Sequence, residues 1–417
     1  MTKPKILIIH PEGNINTNPN LSGIVEILCD IGYNVDIVSP EMNFFQETPC
    51  VGSKLLLYNS SSKRKYFFNK KIPIVLKIAQ IGRNNNIRKE KINRSIYLIR
   101  DFLFKKKVIR KNNIVFILIS NYLWDRTKYK IIIGIDRDGI IEASYFSKIF
   151  DIPYALISYE IFFLDETSEE FKKPEISACK EIAFAVCQDP LRSSLLVQEN
   201  QISQPNIVNI PVAGREIRTG KQSHYLHEKL NIPKEKKIAL FAGSISKWSM
   251  IEELIMTVQK WPDNWVLVLH SRYGINYQDL WEFQYDTESI FISFDSYNEL
   301  QDLSEMLFSV NLGIALYNPT FESIYTGKNI KYLGLSSGKI ATYLQHGIPV
   351  LTNQNGIIGE YIREYQAGYT INNVEDIPDI LQKINFSGCK ERCYKLFKEK
   401  LDLNLHIHPL IKKIMET

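Results

Sequence analysis

The residues best equipped to do chemistry crowd into one short segment, 329–350, which holds Asn329, Ser336, Ser337, Gly338, Lys339, Thr342, Tyr343, Gly347, Pro349 and Val350. Small residues followed by an amphipathic run open a helix here. Unpaired backbone amides and the positive end of the helix dipole then lie at Ser337 and Gly338, and Lys339 adds a full charge. A diphosphate suits that position; the plain alternative is an N-capped helix with a surface lysine. Gly334 with Gly338-Lys339 imitates a nucleotide phosphate loop, but the spacing is one residue short and Ile340 replaces the Mg-binding Ser or Thr. That reading is rejected.

Other candidates sit where strands should end. His10 closes the first apolar strand, Asn18 lies in the Gly/Asn/Pro turn behind it, and Asp136 follows a mid-domain strand. Tyr159 and Glu160 end another strand, and Gly243-Ser244 with Lys247 open the second half. His270 and Arg272 either line a nucleotide pocket or cap their strand. Cys389 and Cys393 with His406 and His408 suggest zinc, but the His-x-His spacing does not suit a finger and the segment reads as helix, so core cysteines are expected.

The elements needed to position these residues follow from periodicity. Apolar strands are expected at 5–10, 33–38, 114–119, 131–135 and 154–158, with helices at 24–31 and 140–150. After a polar stretch at 212–237 that reads as a linker, strands at 238–242, 266–270, 290–294, 312–316 and 349–352 alternate with helices at 250–261, 299–308, 338–346 and 357–365. Strands apolar on both faces, alternating with helices, imply parallel sheets covered on both sides. Two doubly wound domains place a ligand cleft at the carboxyl ends of their strands.

At 417 residues the chain exceeds what one hydrophobic core serves. Composition, with 45% hydrophobic and 23% charged residues, is that of a folded enzyme. No run approaches the ~20 apolar residues that cross a bilayer. The apolar core at 6–9 is too short for a signal peptide. Six cysteines are too few for a disulfide scaffold, which fits a reducing cytoplasm. Charge is uneven: 63–111 holds 17 Lys or Arg against Glu90 and Asp101, within a chain of net charge +5. So dense a positive block must face water or an anion.

With the two-domain pattern, Asn329, Ser337, Lys339, Tyr343, Gly347, Pro349 and Val350 resemble the donor-binding signature of GT-B glycosyltransferases, specifically glycosyltransferase family four. The resemblance extends to Gly32-Tyr33-Asn34-Val35, Asp136, Ile152-Pro153, Glu160 and Gly243-Ser244 with Lys247. Three departures stand out. Tyr159 replaces a His, Thr342 replaces a ribose-holding Glu, and Asn20 replaces an Arg after Pro19. Asp136-Arg137-Asp138 resembles the metal-binding Asp-x-Asp of the other glycosyltransferase fold, but at the end of a Rossmann strand acceptor-side or sheet-end polarity is the better reading.

The resemblance implies an α/β GT-B fold of two tandem Rossmann-like domains: 1–210 for the acceptor, 211–385 for the nucleotide-sugar, and a helical segment, 386–417, packing back on the first. It implies sugar transfer, with retention, from a UDP-sugar to a glycan or lipid-linked acceptor in cell-surface polysaccharide or glycoconjugate synthesis. Lys339, Lys247, Glu160 and Tyr159 are the expected catalytic residues. Gly243, Ser244, Asn329, Ser337, Gly338, Lys339 and Thr342 are expected to bind the donor, and His10, Asn18 and Asp136 the acceptor. No metal or other cofactor and no nucleic acid partner is expected. Two alternatives are a nucleotide-sugar epimerase of related fold and a catalytically silent sugar-nucleotide-binding subunit.

Within the basic block, Ile92, Ile96, Ile99 and Leu103 recur at helical spacing beside Lys105 to Lys107, the pattern of an interfacial helix or, equally, of a core helix whose solvent side is basic. The expected location is therefore the cytoplasm, peripherally on the inner face of an anionic membrane, since each basic residue near such a leaflet contributes ~1 kcal/mol. Co-sedimentation should occur with vesicles containing anionic lipid, and be lost with neutral lipid or at high salt. Binding that ignores lipid charge and salt, or no binding, removes the membrane from this reading.

Overall fold

The computed structural model describes residues 3–13, 15, 18–40, 50, 52–58, 129–202, 206–271, 288–293, 300–354 and 356–417. The basic block at 63–111, the expected strand at 114–119 and Arg272 lie outside the described residues.

Two parallel sheets form. The first comprises β1 (Lys5–Ile9), β2 (Asn34–Pro40), β3 (Ser53–Tyr58), β4 (Tyr129–Ile135), β5 (Tyr154–Ile157), β6 (Ala185–Cys187) and β7 (Ile207–Asn209) in the order β3-β2-β1-β4-β5-β6-β7. The second comprises β8 (Lys237–Ala242), β9 (Trp265–His270), β10 (Ile290–Ser293), β11 (Leu312–Ala315), β12 (Val350–Thr352) and β13 (Gly368–Thr370) in the order β10-β9-β8-β11-β12-β13. In each sheet the order runs outward from the first strand and then reverses, so a crevice opens between β1 and β4 and another between β8 and β11. His10 and Asp136 follow one pair of strands; Gly243 and Tyr317 follow the other.

Alternation of side chains across each strand explains the layers. In β1, Ile6 and Ile8 enter one core and Leu7 and Ile9 the opposite one. In β8, Leu240 faces one layer while Ala239 and Phe241 face the other. Helix α1 (Pro19–Asp30) places Leu21, Ile24 and Leu28 against the first sheet. Helix α2 (Asp136–Phe150) follows β4 at once, and α3 (Pro190–Asn200) starts at the Asp189 cap with Pro190 at its first position. Helix α4 (Gly338–Gln345) carries the segment read as donor-binding.

Several elements differ from expectation. The polar stretch taken as a linker contains a helix, Tyr225–Leu230, whose Leu226 is buried in the second domain. Strands β6, β7 and β13 have three residues each, too few to show a period, and the helix Glu169–Cys179 carries an internal proline. The terminal segment divides between the domains. Cys389, Cys393 and Leu396 join the second core, whereas Leu403, Ile407, Leu410 and Ile414 cross to the first. Cys389 and Cys393 are free cysteines.

The domains are clasped by side chains on backbone groups. Asn329 Nδ2 donates to the carbonyl of Ile161 at 2.8 Å and its Oδ1 accepts from the Ile161 amide at 3.0 Å. Asp189 accepts from the Leu335 amide at 3.0 Å, and Asn20 Nδ2 donates to the Pro211 and Ala213 carbonyls. Gly334 makes the Asp189 contact possible. Its φ is +55°, and a Cβ there would lie 2.0 Å from Asp189 Oδ2. Gly334→Ala should therefore combine left-handed strain with a clash and lower stability by roughly 1–3 kcal/mol, read as a fall in thermal midpoint. An unchanged midpoint would show that domain docking does not depend on this approach.

Candidate functional site

The second-domain wall is built around α4. Ser337 caps the helix, accepting from the Ile340 amide at 3.2 Å, and its hydroxyl is hydrogen-bonded to Tyr317 Oη. One turn on, Tyr343 Oη accepts from the Ala242 amide and donates to the Leu240 carbonyl, both at 3.1 Å. That tyrosine pins the helix to the end of β8, with its ring against Gly313.

The result is a sealed ammonium. Lys339 Nζ lies 4.1 Å from the centre of the Phe241 ring and 5.5 Å from that of Tyr317, is buried, and has no hydrogen-bond partner among the described residues. Loss of solvent pushes it down from the ordinary lysine value to about 7. Across from it stands Gly243, at φ +144°, where a Cβ would sit 3.0 Å from Nζ. Any other residue there would fill the space in front of the cation. Ser244 is exposed beside it. Lys247 is exposed too, in a surface pair with Glu322 at 3.4 Å. Thr342 is half-buried further along α4, its carbonyl accepting from the His346 amide. Gly338 opens the helix, with Val212 the nearest neighbour to a Cβ placed there.

The first-domain wall is acidic. Asp136 is buried at the start of α2 on a left-handed backbone, φ +52°, and its Oδ1 accepts from the amides of Tyr159 and Glu160. Burial, with the charges of Glu12 and Glu160 adding to it, holds the Asp136 carboxyl well above the usual range. Burial likewise raises Glu160 to about 7, opposed by Arg192 and reinforced by Glu12. Asp138 pairs with Arg137, so the two carboxylates of the Asp-x-Asp run are committed to different partners. Among the described residues, no group of three or more His, Cys, Asp or Glu is arranged to hold a metal.

Beneath this wall lies Arg192, which sequence reasoning did not single out. It is buried, and donates to Gln188 Oε1 at 2.7 Å, to the Tyr332 and Tyr159 carbonyls at 2.9 Å each, and to Asn329 Oδ1 at 3.3 Å. It thereby fixes the Tyr159-Glu160 loop to both domains. Asn329, expected at the donor, has its amide engaged with Ile161 and Arg192. Tyr159, expected to meet a sugar, donates to Asn20 Oδ1 at 2.9 Å, so two of the three departures are partners of each other. Asn18 caps α1, His10 is buried behind the crevice, and His270 bonds Ser293 at the end of β9. The signal that could have drawn attention to Arg192 is the Asp189-Pro190 helix start just before it.

Residues 241–401 match the family model described as glucosyltransferase 3-like, C-terminal domain. No curated protein matches the chain in sequence. Among solved structures, HepE of Anabaena, determined with UDP and glucose and with UDP-glucose, superposes with a TM-score of 0.63 at 10% identity, over 99% of this chain and 100% of that one. Sucrose-phosphate synthase of Thermosynechococcus elongatus gives 0.63 at 10% identity over 99% and 100%. WaaG, a glycosyltransferase involved in lipopolysaccharide biosynthesis, gives 0.60 at 11% identity over 99% of each chain. The molecule thus has the GT-B fold. The match of residues 241–401 to that family model makes it a glycosyltransferase.

A buried, unpaired ammonium is costly to the folded state. Lys339→Met should raise stability at pH 7 by about 1–3 kcal/mol. The sign with pH follows from the lowered folded value: the unfolded chain holds the extra proton between about 7 and the ordinary lysine range. Wild type therefore gains on the variant as pH rises through that window. Urea midpoints at pH 7 and pH 9.5 measure the difference; equal midpoints would place Nζ in water.

Proposed function

We propose that the protein transfers a sugar, with retention, from a UDP-sugar to a glycan or lipid-linked acceptor, in the synthesis of a cell-surface polysaccharide or glycoconjugate at the cytoplasmic face of a membrane. The observation that carries the donor half is the unpartnered ammonium of Lys339, set at a helix start and facing Gly243 across the β8/β11 crevice. A diphosphate placed there meets Lys339 and the amides at Ser337 and Gly338. Lys247 can exchange its exposed, weak pair with Glu322 for the same diphosphate at little cost. HepE, of the same fold, was solved with UDP-glucose, which supports a uridine nucleotide.

In the proposed reaction the bond from the anomeric carbon to the diphosphate breaks, UDP leaves with the bonding pair, and an acceptor hydroxyl oxygen bonds to that carbon from the same face, so that configuration is retained. Lys339 and the helix amides stabilise the charge that develops on the leaving diphosphate, an effect worth roughly 10²–10³ in rate per well-placed donor. The ionised form of Glu160 positions the acceptor hydroxyl and accepts its proton. Asp136 sets the loop that carries Glu160, and Tyr159 shapes it through Asn20. The scheme calls on no metal or other cofactor. Membrane contact is assigned to the basic block 63–111 on its charge; among the described residues no helix is long and apolar enough to cross a membrane.

A panel of nucleotide-sugars, followed by release of free nucleoside diphosphate, tests the reading. Transfer or hydrolysis supports it, an isomerised donor indicates an epimerase, and binding without product indicates a silent subunit. Lys339→Ala should keep the fold and lose nearly all transfer; retention of more than about a third of the rate at saturating donor would put the donor site elsewhere. Glu160→Gln should be more damaging than Tyr159→Phe. The kcat/KM profile should be bell-shaped around pH 7, with an acid limb as Glu160 ionises and an alkaline limb as Lys339 loses its proton, and the acid limb should be absent from the glutamine variant.

A further inference from the structure

The loop after β11, residues 318–327, is folded on itself and laid across the cleft. The amides of Thr320 and Phe321 donate to the Thr326 carbonyl, Thr326 donates back to Ser323, and the Asn318 amide donates to the Trp248 carbonyl at 2.7 Å. Its far end is fastened to the first domain. The Lys328 amide donates to Glu166 at 2.6 Å, Lys328 Nζ pairs with Asp165, and a Cβ on Gly327 would strike Glu166. On this braced loop Tyr325 stays 45% exposed, with its ring edge-to-face against Phe162 at 5.5 Å, two residues beyond Glu160. Phe162 in turn packs on Phe171, and Phe171 lies under Arg137, the partner of Asp138. A large half-exposed ring held this firmly beside a proposed catalytic carboxylate has no packing role that requires its exposure.

The charges that act on its hydroxyl are, among the described residues, of one sign. Burial and the fields of Glu12, Glu160, Asp138 and Asp136 all raise the Tyr325 hydroxyl. Asp165 and Glu322 lie on the same rim, and the nearby cations are paired: Arg137 with Asp138, Arg192 with backbone carbonyls, Lys328 with Asp165, and Lys247, at the Glu322 end, in an exposed pair with Glu322. An anionic group entering here would meet repulsion with no free cation among these to offset it. An uncharged sugar offers a CH-lined face to an aromatic ring and hydroxyls to carboxylates, which is the complement of what is present.

Resting on the glycosyltransferase reading, we propose that Tyr325 is the acceptor platform and that it selects an acceptor whose reacting end is a neutral sugar rather than a phosphorylated or carboxylated one. The sugar lies against the Tyr325 ring with the attacking hydroxyl turned to Glu160. A lipid-linked acceptor remains compatible, provided that its phosphates sit away from this rim. Tyr325 acts by positioning, so its removal should change the affinity for acceptor and not that for donor.

The test uses the full chain with UDP-glucose, UDP-galactose and UDP-N-acetylglucosamine as donor probes. Maltose, lactose and chitobiose serve as neutral acceptors, and glucose 6-phosphate and glucuronic acid as charged ones. The neutral sugars should stimulate UDP release above the acceptor-free rate, and the charged ones should not. Tyr325→Ala should raise the acceptor KM at least tenfold while leaving the donor KM within about threefold of wild type. Tyr325→Phe, which keeps the ring, should stay within about threefold. An acceptor KM unchanged in the alanine variant, or stimulation by the charged sugars alone, overturns the proposal while leaving donor chemistry intact. Failure of the wild type to bind or cleave any of the three donors is a different outcome, which removes the glycosyltransferase reading and this inference with it.

Discussion

A cation has been taken out of water and given no partner. Lys339 Nζ is enclosed by Phe241, Tyr317 and the Gly243 loop, and among the described residues only the faces of the two rings offset its desolvation, with no hydrogen bond to help. Much of the second domain's local design maintains that arrangement. Tyr343 ties α4 to the end of β8 so that the lysine cannot drift outward, Gly313 makes room for the tyrosine ring, and Gly243 leaves the front of the ammonium clear. Preorganisation of this kind shifts cost from the reaction to the fold: the dipole and charge are aimed before any anion arrives, so little reorganisation remains when one does.

The opposite wall inverts the logic. There carboxylates are gathered until they inhibit one another's ionisation, and Asp136 is held on a strained backbone at the start of α2 to receive two amides from the Glu160 loop. Strain at such a position persists only when its surroundings over-determine it. Here Arg192 does so, gripping Tyr159, Tyr332 and Asn329 at once. The same guanidinium joins the domains and lowers Glu160 against the burial that raises it, so docking and the proton affinity of the loop are coupled through one side chain.

Much of the architecture was legible from the chain. Runs such as Ile6 to Ile9 and Ile131 to Ile135 are apolar on both faces because each sheet is covered twice, and that is a local property of sequence. The start of α4 was legible for the same reason, since small residues and a cap need no distant partner to be recognised. What could not be read was whether Lys339 points to water or away from it, because that depends on Phe241 and Gly243, nearly a hundred residues earlier. Strands as short as β6 and β7 have no period to detect. Asn20 and Tyr159 read as separate losses of charged or basic groups, whereas in space they form one hydrogen-bonded pair at the domain junction.

Positive and negative walls facing across one cleft impose a direction on whatever enters. A nucleotide-sugar has a dianionic diphosphate and a neutral sugar; with the diphosphate drawn to α4, its sugar is left on the side of the carboxylates. A second molecule approaching from that side is screened for lack of negative charge, while one approaching the α4 side competes with diphosphate. On the proposed reading, donor and acceptor would be sorted by the sign of the field wherever Glu160 and Lys339 are ionised, before shape selects among them. Neither wall could do this alone. A cationic crevice by itself would bind nucleoside diphosphate product as firmly as donor, and an acidic crevice by itself would repel both. Because Arg192 and Asn329 fix the domains to each other through backbone contacts, the separation between the two fields is a property of the fold and not of any single charged residue.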